Sequence, residues 1–176
     1  DGARRHREGG VQLRVQLARG GDAAHQGGVP SATRSSLTIR EYLQCGYVSK
    51  DQFAQLYKFA FVRNPWDKIV SAFKYRKFYE HMSFKEYIFE RQPKPIAYQG
   101  TYRHVMSQMD YICDESGRIC VDYVGRFETL QRDFDHVCRA LDIPAKKLPH
   151  TNISSNQHGE TKENKKRHYS QYYDGE

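Results

Sequence analysis

Lys58-Phe-Ala-Phe-Val-Arg-Asn-Pro-Trp-Asp-Lys-Ile-Val-Ser-Ala-Phe-Lys-Tyr75 reads as a buried strand running into a helix, with an arginine at the junction. Phe59, Ala60, Phe61 and Val62 form the short continuous apolar run of a parallel strand covered on both faces. Pro65 suits a first helical position, where its missing N–H costs nothing. Ile69, Val70 and Phe73 then recur at helical spacing. Arg63 therefore sits at the carboxyl end of a strand, and Ser71 lies two turns into the helix that follows. Open α/β sheets bind their ligands at that edge. A helix N-terminus beside a guanidinium suits a phosphate.

A second stretch has the same form. Ile119 to Val124 is rich in β-formers, and Leu130, Phe134, Val137 and Leu141 mark one face of a helix. Arg126 and Glu128 fall between strand and helix, again at a ligand-facing junction.

Together these stretches resemble the sulfotransferase family, and most of all its carbohydrate sulfotransferase branch with the bacterial relatives. The first resembles F-x-x-V-R-N-P-W-D-R-x-x-S-x-[YF], with Lys68 where an arginine is usual. The second, Asp122 to Val137, resembles D-x-V-G-R-F-E-x-L-x-x-D-F-x-x-V. Leu148-Pro-His-Thr-Asn152 resembles L-P-H-x-N, and Tyr169 to Tyr173 resembles Y-x-x-Y-Y. The resemblance implies an α/β chain, an incomplete P-loop-like three-layer fold with a small parallel sheet flanked by helices, occupying residues 37–176. It implies that Arg63 and Ser71 hold the 3′-phosphate of the sulfate donor, 3′-phosphoadenosine 5′-phosphosulfate (PAPS), with Arg126 as a further donor-binding residue. It also implies a hydroxyl acceptor of carbohydrate type and no metal. The compartment would be the Golgi lumen, through a membrane anchor outside this chain, in a eukaryote, or the cytoplasm in a bacterium.

Residues 1–36 depart from the pattern. They hold six arginines, seven glycines, no lysine and no aromatic residue, a composition that does not build a core. They read as a disordered leader unrelated to the family. The family's first strand and its 5′-phosphosulfate loop, P-K-[TA]-G-T-[ST], belong here, and Pro30-Ser-Ala-Thr-Arg-Ser-Ser36 lacks both the glycine and the lysine. The abrupt start of the likeness near Leu37 favours a leader translated out of frame or joined from a wrong exon. A degenerate non-catalytic relative and a genuine basic arm are the alternatives. The family pattern also continues past the point where this sequence reaches Glu176. Without the first strand, the strand at 58–62 is expected to lack a neighbour on one side.

The remaining features set looser bounds. At 176 residues this is one domain at most. The net charge of +7 gathers at the two ends, including Lys162, Lys165, Lys166 and Arg167, and suits an anionic partner. A nucleotide donor, an acidic glycan and nucleic acid all fit that description. No nucleic-acid-binding motif is present, and the aromatic residues, which begin at Tyr42, fall at core spacings. No apolar run reaches the length of a membrane span, and residues 1–30 hold no signal-peptide core. Cys45, Cys113, Cys120 and Cys138 lack zinc-ligand spacing. Cys113 and Cys120 flank Asp-Glu-Ser-Gly, a hairpin turn across which a disulfide or two free thiols are possible. Asn152-Ile-Ser154 is a formal glycosylation sequon. Helices are expected from Thr38, at Gln52 to Leu56, from Pro65 to Tyr79, from Ser83 to Glu90 and at 129–141. Loops are expected after Pro93 and over 150–168, and Tyr111 to Cys113 should pair with Ile119 to Val124.

Sulfuryl transfer needs a base for the acceptor hydroxyl, positive charge beside the bridging oxygen and a rigidly held donor. Ser36-Leu-Thr38 stands where many relatives carry H-x-T, so the usual base is absent. His81, His104, His150 and Glu128 are the remaining candidates. A non-catalytic nucleotide-binding or interaction relative is the alternative function, and a basic nucleic-acid-binding module is a further one. Loss of one preorganised stabilising group lowers a rate by about 10²–10³. The 176-residue chain, which contains no Pro-Lys-x-Gly-Thr, is therefore expected to show no appreciable transfer in a radiolabelled-sulfate assay across glycan acceptors. Turnover matching an intact relative would show that Lys68 or Lys74 takes over the loop's role.

Overall fold

The apolar run at 59–62 becomes the middle of a three-stranded sheet in the computed structural model, which describes residues 13–16, 37–75, 78–92, 100–149 and 168–174. Tyr57–Val62 is β2. On one side it pairs in parallel with β3, Tyr123–Arg126, with Phe59 opposite Tyr123 and Val62 opposite Arg126. On the other side it pairs antiparallel with β1, Leu13–Gln16, with Leu13 opposite Ala60 and Gln16 opposite Tyr57. The expectation that this side of β2 has no neighbour is therefore corrected. Four leader residues supply an edge strand, which needs backbone groups and not a packed side-chain core. The rest of the leader lies outside the described residues.

One polar pair fixes the parallel register. Lys58 is buried, and its Nζ donates to the carbonyls of Leu56 (2.6 Å) and Phe53 (3.2 Å) and pairs with Asp122 Oδ2 (2.9 Å). The Lys58 N–H donates to the same carboxylate at 2.7 Å, and the Asp122 N–H donates to the Lys58 carbonyl at 2.8 Å. A buried ammonium is tolerated because its donors find partners. Burial works against ionisation of Asp122, yet the contacts from Lys58 hold its pKa below the usual carboxylate value.

Alternation along β2 and β3 then sends side chains to two faces. Ala60, Val62 and Val124 pack in one cluster with Ile39 of α1 (Ile39–Gln44) and with Tyr111 and Ile112 of α6 (Met109–Ile112). Phe61 turns the other way, its ring against Gly125, while Tyr123 stacks on His136 of α7 (Leu130–Ala140) with ring centroids 4.3 Å apart. Helices thus cover both faces of a small parallel pair, the three-layer α/β arrangement expected.

The other elements surround this core. α2 is Lys50–Gln55 and α3 is Pro65–Tyr75. A short turn at Phe78–Glu80 precedes α4, Phe84–Glu86, which widens into a π-turn at Tyr87–Arg91. α5 is Gly100–Arg103, and single 3₁₀ turns lie at Phe127–Thr129 and Tyr169–Tyr172. Thr38 with Glu41 and Ser49 with Gln52 form complete capping boxes that start α1 and α2. At α4, Ser83 Oγ accepts from the Glu86 N–H at 3.1 Å. α3 is described as far as Tyr75, and the expected helical end at Tyr79 falls in the 3₁₀ turn at Phe78–Glu80.

The expected pairing of Tyr111–Cys113 with Ile119–Val124 is reduced to a single antiparallel bridge, Cys113 with Ile119. Residues 109–112 are helical, and the strand begins only at Tyr123. The turn itself is well defined. The Asp114 carboxylate accepts from the N–H groups of Ser116 (2.9 Å) and Arg118 (3.0 Å), and Gly117 takes φ 81°. This closes a tight loop, and the helix at 109–112 ends the pairing just beyond the Cys113–Ile119 bridge. All four cysteines are free thiols, so no Cys113–Cys120 disulfide forms. The Pro93 loop, His150, the Asn152 sequon, the 150–168 loop up to its last residue, and the basic run at Lys162 to Arg167 lie outside the described residues.

Gly125 is the tightest point of the sheet. A β-carbon there meets Phe61 Cε1 at 2.6 Å and Asp133 Cβ at 3.1 Å. Overpacking a filled core costs about 1–3 kcal/mol. Gly125→Ala should lower the urea midpoint accordingly, with m unchanged; an unaltered midpoint would show that Phe61 swings clear.

Candidate functional site

Ladder bonding stops at Val62, so the next peptide needs other partners. The Arg63 N–H donates to Gln108 Oε1 at 2.8 Å, and Gln108 Nε2 donates to the Arg63 carbonyl at 2.6 Å. The side chain of Arg63 is held separately. Its Nε donates to Asp67 Oδ2 at 2.6 Å and its Nη1 to Ser71 Oγ at 3.0 Å. Its guanidinium carbon lies 4.7 Å from the centre of the Phe127 ring. The helix dictates this grouping: residues four and eight positions after Arg63 return to the same side of α3. The two residues read from the sequence as a pair, Arg63 and Ser71, are in direct contact.

The start of α3 is organised around Asn64. Its Oδ1 accepts from the Trp66 N–H at 3.0 Å, the bond of an N-cap. The Asn64 N–H donates to Glu128 Oε1 at 2.6 Å, and Asn64 Nδ2 donates to the Tyr169 hydroxyl at 3.0 Å. The Tyr173 hydroxyl donates to the Trp66 carbonyl at 2.9 Å, with its ring edge-on to Trp66. Pro65 offers no N–H. The N–H groups of Asn64 and Trp66 are thus taken up locally by side chains. Lys68, one turn on, donates from Nζ to the Met106 carbonyl at 2.7 Å. Burial brings its pKa down to about 8, opposed by the charge of Asp110.

Arg126 closes β3 beside Val62, so both arginines stand at the carboxyl edge of the parallel pair. Its side chain is exposed. Its N–H donates to Asp133 Oδ2 at 2.7 Å, and Asp133 also accepts from Thr129 Oγ1 (2.9 Å) and Arg132 Nε (2.9 Å). Asp133 is buried, and the Arg126 N–H does most to bring its pKa down to about 2.

The catalytic candidates do not converge in the same way. Glu128 serves the Asn64 N–H. His104 directly follows α5 and is half-buried, while His81 is exposed beyond the turn at Phe78–Glu80. His150 lies outside the described residues. Arg103, next to His104, forms a two-point ion pair with Glu41, Nη1 to Oε2 at 2.9 Å and Nη2 to Oε1. Glu41 also caps Thr38, so this pair is committed to holding α1. Among the described residues no group of histidines, cysteines and carboxylates could hold a metal ion. Nor is any helix there long and apolar enough to cross a membrane.

A family model described as the sulfotransferase family matches residues 35–175. The chain belongs to the sulfotransferase family. The match takes in both motif stretches and begins after most of the leader. The family carries out sulfuryl transfer, generally from PAPS to a hydroxyl acceptor. The chain is also similar to an uncharacterized protein of Archaeoglobus fulgidus, 26% identical over 100 residues, covering 55% of this chain and 77% of that protein. No solved structure matches.

Asp67, Phe127, Asn64, Tyr169 and Gln108 were not singled out from the sequence. Asp67 carried a signal, its spacing of four from Arg63. Gln108 carried none, since its partner lies 45 residues away.

Asp133 gives a pH test. Its folded pKa, about 2, lies below the ordinary 3.8, so the native state binds fewer protons. Its contribution is complete above the ordinary value and disappears as pH falls from about 4 towards about 2. Asp133→Asn should be less stable than wild type at pH 7, with the gap narrowing over that interval in urea titrations. A gap constant with pH would remove the carboxylate charge from the account.

Proposed function

We propose that this chain binds PAPS through Arg63, Ser71 and Arg126 and serves transfer of its sulfuryl group to a hydroxyl of a carbohydrate-type acceptor. The observation that carries this reading is the 3.0 Å contact of Arg63 Nη1 with Ser71 Oγ at the end of β2. Arg63 would meet the donor's 3′-phosphate with a planar, permanently charged fork. Ser71 Oγ accepts from Arg63, which leaves its own hydroxyl proton free to point at a phosphate oxygen. Arg126, exposed on the adjacent strand end, adds a second positive charge at the same edge. Bound there, the donor supplies an activated sulfuryl group; the residues named here bind and orient it. The carbohydrate acceptor rests on the likeness to that branch of the family.

Isothermal titration with adenosine 3′,5′-bisphosphate tests the assignment. Loss of a charge-assisted contact costs about 2–3 kcal/mol, or roughly 30- to 150-fold in affinity, on Arg63→Ala. Equal affinity of wild type and Arg63→Ala would remove Arg63 from the site.

A further inference from the structure

We infer that Gln108 is the positioning residue of the phosphate site: it fixes the backbone of Arg63, and with it the direction in which the guanidinium leaves the sheet. The inference rests on the reading of Arg63 given above. It starts from an otherwise unfilled need. β2 loses its ladder after Val62, so the N–H and carbonyl of Arg63 have no strand to bond. Gln108 meets both with one amide, accepting at 2.8 Å and donating at 2.6 Å, as a neighbouring strand would. A glutamine is suited to this, since it alone with asparagine offers a donor and an acceptor side by side in one plane.

Gln108 is itself rigidly placed. It stands immediately before α6, whose Tyr111 and Ile112 are buried in the core cluster with Ala60. The Tyr111 hydroxyl donates to the Arg103 carbonyl at 2.7 Å, fastening α6 to the end of α5. From the other side, Lys68 of α3 donates to the Met106 carbonyl, two residues before Gln108. The segment 106–108 is thus tied to both β2 and α3. Gln108 is half-buried, and its side-chain bonds go to the peptide of Arg63 while those of the guanidinium go to Asp67 and Ser71. It therefore acts through Arg63, and its removal should weaken recognition of the 3′-phosphate alone.

Gln108→Met keeps the length of the side chain and removes both bonds. Six titrations decide the matter: adenosine 3′,5′-bisphosphate and adenosine 5′-monophosphate, each against wild type, Arg63→Ala and Gln108→Met. The expected result is about a tenfold loss for the bisphosphate with Gln108→Met and unchanged affinity for the monophosphate, in line with the sensitivity of bound geometry to small displacements. The Arg63 amide, protected in wild type, should exchange much faster in the variant. Gln108→Glu keeps the acceptor for the Arg63 N–H and loses the donor to its carbonyl, so it should retain that protection yet bind the bisphosphate alone more weakly; if Gln108→Met fails to fold, that selective loss supports the role and wild-type affinity for both nucleotides overturns it. Equal losses for both nucleotides would make Gln108 a general structural residue. Wild-type behaviour of Gln108→Met, with Arg63→Ala impaired as expected, would overturn the positioning role alone. No preference of wild type for the bisphosphate, with no effect of Arg63→Ala, would overturn the phosphate reading and this inference with it.

Discussion

The parallel register of β2 and β3 is the constraint on which the rest depends. Val62 opposite Arg126 brings two arginine-bearing strand ends to one edge. A slip of one residue would turn every side chain to the opposite face. Phe61 would then face the packed cluster under Ala60, and Ala60 would face the space beside Gly125. The Lys58–Asp122 pair prevents this, because the same carboxylate receives both the backbone N–H and the side-chain ammonium of Lys58. Asp122 immediately precedes β3, so the lock acts at the start of the pair and its effect is read out four residues later at Arg126.

At both ends of this short sheet, peptide groups that run out of ladder are taken up by side chains. Asp122 serves Lys58 at the entrance. Gln108 serves Arg63, Glu128 serves Asn64 and Asp133 serves Arg126 at the exit. A two-stranded parallel pair has little cooperative ladder of its own, so these side chains supply much of its definition. Three of them come from the stretch at 122–133, which explains how one block of sequence can organise an edge whose principal arginine lies some sixty residues earlier. The arrangement also concentrates carboxylates next to the arginines. Their negative charge is directed at backbone N–H groups and at Arg63 Nε, which leaves a charged fork oriented without neutralising the second arginine.

What the sequence made legible follows from how local each signal is. The strand at 57–62, the helix from Pro65 and the helix ending at Ala140 were readable because apolar periodicity is a property of consecutive residues. Arg63 and Ser71 are paired in the sequence through the family motif, and the structure adds their direct contact. The helix at Met109–Ile112 overlaps the strand expected at Tyr111–Cys113, since four residues give periodicity no purchase and a buried Tyr111 and Ile112 suit either element. β1 was missed for a related reason: an edge strand draws on backbone hydrogen bonds, which composition does not report. Gln108 and Tyr169 reach Arg63 and Asn64 across 45 and 105 residues, and nothing at either position announces the partner.

The lysine at position 68, where the resembled pattern has arginine, shows how the site divides its cations. Its ammonium is partly withdrawn from solvent, bonded to the Met106 carbonyl, and brought to a pKa of about 8 by burial. With a pKa of about 8 the ammonium is still mostly protonated at pH 7 and loses its charge as pH rises through that value. A guanidinium keeps its charge under the same burial, because its intrinsic pKa is several units higher. Lys68 is thus a tether, one that secures the segment bearing Gln108, and the permanent charge of the edge resides in Arg63 and Arg126. An arginine at position 68 would carry a bulkier planar fork into a space that now accommodates a single ammonium against one carbonyl. The cation that tethers a neighbouring segment and the arginines at the strand ends are therefore different residues.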